Sequence, residues 1–165
     1  MEYNKIVNNI NNYLMNLSVV KYILLILLLT YVVFIPFLFL FSNYDFNVGG
    51  PQSIINSSFW GKLFIGSLLA PIFETFVFQY MVIESLDNIK IKRHKNFFIL
   101  IISSIFFSLT HTYSFIYIFY SFVIGMFLAY TYILYKKKNF HPFLIVTIIH
   151  SLRNTITTLL FFFNV

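Results

Sequence analysis

The chain has 165 residues, of which 59% are hydrophobic, 22% aromatic and only 10% charged, and its formal net charge is +6. Soluble domains carry about 25% charged residues, so this composition excludes an ordinary soluble domain and indicates an integral membrane protein that forms a single bundle. The absence of Cys excludes disulfides, thiol nucleophiles and thiolate metal sites.

The chain begins with a polar, Asn-rich segment at residues 1–18, in which apolar residues recur at helical spacing. This pattern is typical of a short interfacial helix, and a partly frayed tail is the alternative. Residues 19–165 are predicted to form a transmembrane bundle, because five apolar segments there are close to the roughly 20 residues that cross a bilayer. These segments are residues 22–41, 61–83, 96–112, 115–135 and 141–163. The predicted fold class is therefore all-α, a polytopic membrane helix bundle of about five transmembrane helices.

Basic residues mark one side of this predicted bundle. Nine of the eleven Lys and Arg residues lie in the N-terminal flank, the loop after the second segment and the loop after the fourth. The positive-inside rule assigns that side, and with it the N-terminus, to the cytoplasm. Because the basic residues lie between apolar runs, the net charge indicates a lipid bilayer as partner and no nucleic acid.

Four polar side chains lie inside the apolar segments: Glu74, His111, His150 and Asn154. An ionisable group in hydrocarbon costs several kcal/mol unless it faces a protein interior or water, so such groups mark functional sites. His150 and Asn154 are four residues apart and share one helix face. Taken alone, that pair is also explained by a helix interface in which the two side chains bind each other.

The predicted depths of the three ionisable residues match only in part. Glu74 and His150 each lie about 9 residues, or roughly 13 Å, from the cytoplasmic end of their segments. His111 lies about 15 residues, or roughly 22 Å, from that end. A reaction centre requires the three side chains to converge on one small cavity, and helix tilt or a different start of the third segment would close part of this gap.

The runs PIFETFVFQY, FSLTH and HSLRN occur in this order and resemble the CAAX-protease and bacteriocin-processing family of intramembrane proteases. The family pattern reads Glu-Glu-x-x-x-Arg, then Phe-x-x-x-His, then His-x-x-x-Asn or Asp. The resemblance covers residues 65–160 and places Glu74, His111, His150 and Asn154 at the motif positions. Two supporting positions depart from the pattern, because Thr75 replaces the second Glu and Gln79 replaces the Arg.

The two departures occur together. Residues 75 and 79 are four apart, so in a family member they would face each other as an ion pair. Replacing both partners of a buried ion pair can leave the stability of the protein nearly unchanged, so Thr75 and Gln79 are interpreted as a tolerated exchange. The exchange still affects the expected activity, because such neighbouring groups orient the reacting residues. Arg153, three residues after His150, is a candidate to supply the missing positive charge. The alternative is that Arg153 reaches the far interface.

The resemblance implies an intramembrane endopeptidase that cleaves a peptide or a membrane-protein segment. It implies that Glu74 activates water and that Asn154 donates to the oxyanion. His111 and His150 would either bind a metal such as zinc together with Glu74, or orient the water and the substrate carbonyl directly. The metal-dependent and the glutamate-dependent mechanism both stay open. In the cell membrane of a bacterium, the resemblance suggests peptide maturation or bacteriocin self-immunity.

Two other function classes remain. A catalytically inactive relative that binds a peptide or a membrane protein is suggested by Thr75 and Gln79. A proton-coupled carrier could use Glu74 and the histidines as a relay, but five predicted spans without an inverted repeat argue against it. The sequence leaves the substrate and the oligomeric state open.

Overall fold

A computed structural model of the chain describes residues 2–44, 54, 56–90 and 94–163, and all regular secondary structure in these ranges is helical. The helices are α1 (Glu2–Asn16), α2 (Val19–Tyr44), α3 (Phe59–Asp87), α4 (Lys95–Leu109), α5 (Phe115–Lys137) and α6 (Pro142–Phe162). The prediction of an all-α, polytopic membrane bundle is confirmed, because α2, α3, α5 and α6 are long and apolar enough to cross a membrane.

Helix α4 is shorter than the predicted third span at 96–112. It has 15 residues and rises about 22 Å, which is less than the roughly 30 Å of bilayer hydrocarbon. The helix ends at Leu109 because the chain turns there, and the Ser114 hydroxyl accepts a hydrogen bond from the Tyr117 amide to begin α5. Among the described residues four helices therefore reach spanning length, and the predicted third span is a shorter apolar helix.

Helix α3 continues past the predicted end of its span at residue 83. Its last turns carry Glu84 and Asp87, which bind the Lys136 amine of α5 at 2.7 Å and 2.8 Å. Lys95 at the start of α4 binds Asp87 at 2.8 Å, and the Tyr132 hydroxyl donates to Glu84 at 2.9 Å. These two carboxylates join α3, α4 and α5 at one end of the bundle.

Helix α5 forms the centre of the bundle, and its inward residues Ile124, Leu128 and Ala129 are buried. At Gly125 the helix approaches α4 closely. A Cβ atom there would lie 3.1 Å from the Ser104 Cα atom and 3.1 Å from the Phe107 ring, so a side chain at this position would push against both neighbours. The lack of a side chain at Gly125 therefore lets Phe107 pack closely against α5.

Helix α1 docks on the end of α5. The Tyr130 hydroxyl donates to the Asn11 side chain at 2.5 Å, and the Lys138 amine donates to the Leu14 and Leu17 carbonyls at 3.4 Å and 3.3 Å. The opposite side of α1 leaves Ile6, Ile10 and Tyr13 exposed. Residues 1–18 are thus mostly helical, and the location of this helix at the membrane interface stays a prediction.

Candidate active site

Three side chains from different parts of the fold meet at one carboxylate oxygen. Glu74 lies in the middle of α3, His111 in the turn after α4, and His150 in the middle of α6. The Glu74 Oε2 atom lies 3.5 Å from His150 Nε2 and 4.0 Å from His111 Nε2. The structure thus brings together the three ionisable residues that the sequence singled out.

The actual helix ends largely account for the depth of His111. Because α3 runs to Asp87, Glu74 lies 13 residues from its end, about 20 Å at helical rise. His111 lies 16 residues after Lys95, about 24 Å. Ending α3 four residues too early therefore accounts for most of the predicted gap between Glu74 and His111, whereas His150 lies only 8 residues, about 12 Å, after Pro142.

The His111 ring is held by Phe107, one turn earlier. His111 Nδ1 lies 2.8 Å from the Phe107 carbonyl oxygen, which can only accept a hydrogen bond. Nδ1 therefore carries the proton, and in the neutral imidazole the Nε2 lone pair faces Glu74. The Phe107 ring lies 4.6 Å from His111 and 5.6 Å from His150, and the Tyr117 ring stacks on His111 at 6.0 Å.

His150 and Glu74 differ in exposure. The His150 side chain is 4% exposed, whereas 24% of the Glu74 side chain is accessible. His150 Nδ1 is buried without a hydrogen-bond partner in the part of the chain that the structure describes. The site therefore presents a partly accessible carboxylate, backed by an enclosed imidazole.

Asn154 is positioned by an irregularity of α3. Residues Lys62–Leu69 form a π-helix with i→i+5 hydrogen bonds, as the bond from the Ala70 amide to the Ile65 carbonyl shows. The next carbonyl, Gly66, would accept from residue 71, but Pro71 has no N–H. Asn154 Nδ2 donates to the Gly66 carbonyl at 2.9 Å instead.

Thr75 and Gln79 lie in a second π-helical stretch of α3, Thr75–Met81, and both are completely buried. Neither Thr75 Oγ1 nor the two polar atoms of the Gln79 amide has a hydrogen-bond partner among the described residues. Each unsatisfied buried group costs about 1–3 kcal/mol. The neutral pair therefore fills the place of the expected ion pair without restoring its interactions.

Arg153, the candidate to replace the Arg of the family pattern, directs its guanidinium hydrogen bonds to Tyr120 and Asn154 and not to Thr75 or Gln79. Its guanidinium donates to the Tyr120 hydroxyl, lies 5.4 Å from the Tyr120 ring centre and is 3.5 Å from Asn154 Oδ1. The Tyr31 hydroxyl donates to the Arg153 backbone carbonyl at 2.8 Å. Arg153 thus lies inside the bundle, between α5 and α6.

The distances between the donor atoms at Glu74 do not match those of a zinc site. Glu74, His111 and His150 have the donor chemistry of a catalytic zinc site, in which bonds of about 2.1 Å place tetrahedral ligands about 3.4 Å apart. The Glu74–His111 separation of 4.0 Å is longer. Across the described ranges, no group of three His, Asp or Glu side chains is arranged to hold a metal ion. As placed, these residues do not fit zinc, and zinc stays a prediction from the resemblance.

Four other groups complete the site but were not singled out from the sequence. They are the Phe107 and Gly66 carbonyls and the aromatic rings of Tyr117 and Tyr120. Phe107 is the Phe of the Phe-x-x-x-His motif, but the motif does not single out its carbonyl, and the Gly66 carbonyl has as its signal only Pro71 five residues later. The tyrosines could not be distinguished in a chain with 12 Tyr and 23 Phe.

Comparison with protein families gives one match. Residues 56–156 match the family model described as type II CAAX prenyl endopeptidase Rce1-like. The match covers well over half of the chain, including all of α4 and α5 and every side chain that meets at Glu74. Neither the curated proteins nor the solved structures give a significant match.

Proposed function

This chain belongs to the Rce1-like family of type II CAAX prenyl endopeptidases, and we propose that it is an intramembrane endopeptidase whose reaction centre is Glu74. The family is one of CAAX protease-like peptidases, and the helices of this chain make it a multi-pass membrane protein. The observation that carries the proposal is the approach of both imidazole Nε2 atoms to one Glu74 oxygen. The substrate class is a peptide or a segment of a membrane protein.

In the proposed reaction, Glu74 acts as general base toward a water molecule that attacks the scissile carbonyl carbon. The water oxygen forms the new C–O bond, and its proton passes to Glu74. Glu74 then gives the proton to the amide nitrogen as the C–N bond breaks, leaving a carboxylic acid and an amine. General base catalysis of this kind contributes about 10²–10⁴-fold.

The two imidazoles take different roles in this proposal. His111 Nε2 has a free lone pair, because Nδ1 donates to Phe107, and it accepts the second proton of the water in a hydrogen bond. His150 donates from Nε2 to the oxyanion, supported by its enclosed position. Such donors act strongly in a site from which water is excluded.

Asn154 is proposed as a further oxyanion donor. Its amide has two N–H groups, of which one is used by the Gly66 carbonyl. The bond to Gly66 fixes the amide plane and leaves the second N–H for the substrate. Asn154 is therefore held in place before substrate binds.

We also propose the cellular setting. The N-terminus and the end of the bundle that carries Glu84, Asp87 and Lys136 face the cytoplasm, supported by the distribution of basic residues. The membrane is that of a bacterial cell, and the role is peptide maturation or bacteriocin self-immunity, as the resemblance of the motifs suggests.

The test of the proposed activity is cleavage of candidate peptides by the purified chain in detergent or liposomes. Glu74→Gln and His150→Ala should each lower the rate at least 100-fold, because each removes a group at the reacting atoms. Glu84→Gln is the matched control, since it makes the same change on the same helix outside the site. If Glu74→Gln cleaves like the wild type, the enzyme proposal is wrong.

The second candidate function is a non-catalytic relative that binds a peptide or a membrane protein. It is favoured by the buried, unsatisfied Thr75 and Gln79, which leave Glu74 without a neighbouring ion pair. This function predicts that Glu74→Gln retains the cellular phenotype and that no peptide is cleaved.

Metal dependence needs its own measurement. The proposed steps use only side chains of this chain, so activity should persist after treatment with a zinc chelator. Stoichiometric zinc in the purified protein, with activity lost in chelator and restored by zinc, would assign Glu74, His111 and His150 to a metal.

A further inference from the structure

Two contacts fix how α6 lies against α3. The Glu74 Oε2 atom lies 3.5 Å from His150 Nε2. Farther along α3, the centre of the Tyr80 ring lies 6.4 Å from the centre of the Phe143 ring. Thr147 lies four residues after Phe143 and three before His150, so it shares the α6 face that both contacts use. Thr147 therefore faces α3 between the two contacts.

Gln79 and Thr75 point into the bundle from the same interval of α3. The residues on either side of position 79 contact two different helices: the Phe78 ring lies 6.0 Å from the Phe107 ring of α4, and Tyr80 faces α6. The Gln79 side chain lies between these two directions and is completely buried. Thr75, four residues earlier, lies on the same face and is completely buried as well. Both side chains are therefore enclosed between α3 and its neighbours.

Polar atoms from both helices lack a hydrogen-bond partner in this interval. They are Thr75 Oγ1, both polar atoms of the Gln79 amide and Thr147 Oγ1, and each is buried and unpaired across the described ranges. Buried polar groups in proteins are bonded to the protein or to ordered water, and leaving them unsatisfied is costly. The interface between α3 and α6 therefore calls for a bound group that satisfies them.

The chemistry of these groups identifies water as that bound group. Hydroxyls and a primary amide are neutral, and each of them both donates and accepts hydrogen bonds. A buried water molecule matches them, because it is neutral, donates as well as accepts, and typically bonds two to four polar groups. Thr75 and Gln79 are also smaller than the Glu and Arg of the family pattern, so they take up less of the interface. An ion is a poorer match, since none of the three side chains is charged.

His150 connects these polar groups to the proposed reaction. Its Nδ1 atom is likewise buried and has no partner in the part of the chain that the structure describes. When Nε2 carries the proton that is donated to the oxyanion, Nδ1 of the neutral ring holds a lone pair and needs a donor. Thr147 lies one turn before His150, on the side toward which helical side chains lean. A water molecule held at Thr147 is therefore placed to supply that donor.

We propose that a water-binding site lies between α3 and α6, formed by Thr75, Gln79 and Thr147, and that water bound there donates a hydrogen bond to His150 Nδ1. This bond keeps the proton of the neutral ring on Nε2, which is the form that donates to the oxyanion. The three residues that hold the water are positioning residues, because they act through His150. The water binding stands apart from the proposed function, whereas the role of His150 rests on it.

The water is detected by NMR on the full wild-type chain in detergent micelles, with H₂O itself as the probe. Gln52 and Gln79 are the only glutamines, so ¹⁵N labelling of Gln side chains gives two amide signals, and Gln52→Ala identifies that of Gln79. Gln79 is completely buried, so cross-relaxation of its N–H protons with water, distinguished from proton exchange by its sign, reports bound water. The transfer should weaken in Thr147→Val. Its absence from the wild type overturns the inference and needs no variant.

Thermal unfolding of Thr75→Val, Thr147→Val and the double variant tests whether the two hydroxyls share the water. Each single change should lower the melting temperature by about 2–4 °C, and the double variant should lose less than the sum, because the water is already lost. Thr155→Val is the matched control, half-buried on the same helix, and its effect should add to that of Thr75→Val. A higher melting temperature in either single variant would mean that the hydroxyl has no partner, and it overturns the inference, as do additive losses.

The role of His150 has its own measurement in the chain labelled with ¹⁵N-His, where His150→Gln identifies the signal. In the wild type, Nε2 should carry the proton and Nδ1 should accept a hydrogen bond. The Thr75→Val, Thr147→Val double variant should move the Nδ1 resonance to higher frequency and lower kcat about fivefold, with KM unchanged, as for the loss of one hydrogen bond between neutral groups. Thr155→Val should change neither. An unchanged Nδ1 resonance in the double variant contradicts the link to His150, whereas bound water in a wild type that cleaves no peptide counts against the proposed function alone.

Discussion

Asn154 of α6 donates a hydrogen bond of 2.9 Å to the Gly66 carbonyl of α3, five residues before Pro71. The Gly66 carbonyl is not used by the backbone of α3, because the i→i+5 pattern of the π-helix pairs it with Pro71, which has no N–H. A proline on α3 thereby frees a carbonyl that binds an amide on α6, four residues after His150.

Pro71→Ala should lower activity without changing the residues at the reacting atoms. Alanine supplies an N–H that competes with Asn154 for the Gly66 carbonyl, so we expect kcat to fall up to about tenfold, the effect of about one hydrogen bond to a neutral group. The measurement is steady-state cleavage of the same peptide. Pro36→Ala in α2 is the control, since Pro36 is exposed and lies outside the site. Full activity of Pro71→Ala would show that the Gly66 contact does not position Asn154.

Thr75→Glu and Gln79→Arg should each destabilise the protein when made alone and compensate when made together. Both positions are completely buried, so a single charge there is unpaired and costs about 3–5 kcal/mol. The double variant restores the ion pair of the family pattern. Thermal unfolding of the four proteins gives the coupling energy by a double-mutant cycle. Additive losses in the double variant would mean that the two positions do not face each other.

Gly125→Ala should reduce both stability and cleavage. The new methyl group would lie 3.1 Å from the backbone of Ser104 and from the Phe107 ring, and overpacking of this kind costs about 1–3 kcal/mol. A shift of Phe107 also moves the carbonyl that holds His111. Unfolding and cleavage are measured on the same samples. Wild-type values for both would indicate that α4 and α5 can separate without cost.

Lys136→Met should destabilise the bundle, whereas Lys137→Met should not. Lys136 binds Glu84 and Asp87, and both carboxylates would lose their shared cation. We expect a loss of about 1–2 kcal/mol that shrinks at high salt, because the cluster is partly exposed. Lys137 is exposed and serves as the matched control. Thermal unfolding at low and high salt measures the difference, and equal effects of the two variants would contradict the role of the cluster.

The sequence by itself determined the class of fold and the positions of the motif residues. In hydrocarbon every backbone polar group must be bonded within the chain, so apolar runs of this length become helices. For the same reason Glu74, His111 and His150 were conspicuous, since ionisable groups are costly there. Their order along the chain gave the resemblance to a protease family.

Only the tertiary structure decided how these residues meet and what supports them. It ended α4 at Leu109, carried α3 on to Asp87 and placed Arg153 against Tyr120. It also directed Asn154 to the backbone carbonyl of Gly66. Every residue has such a carbonyl, so the residue types in the sequence do not identify this partner. Helix ends and these contacts depend on packing between residues far apart in the chain, which local hydrophobic patterns do not specify.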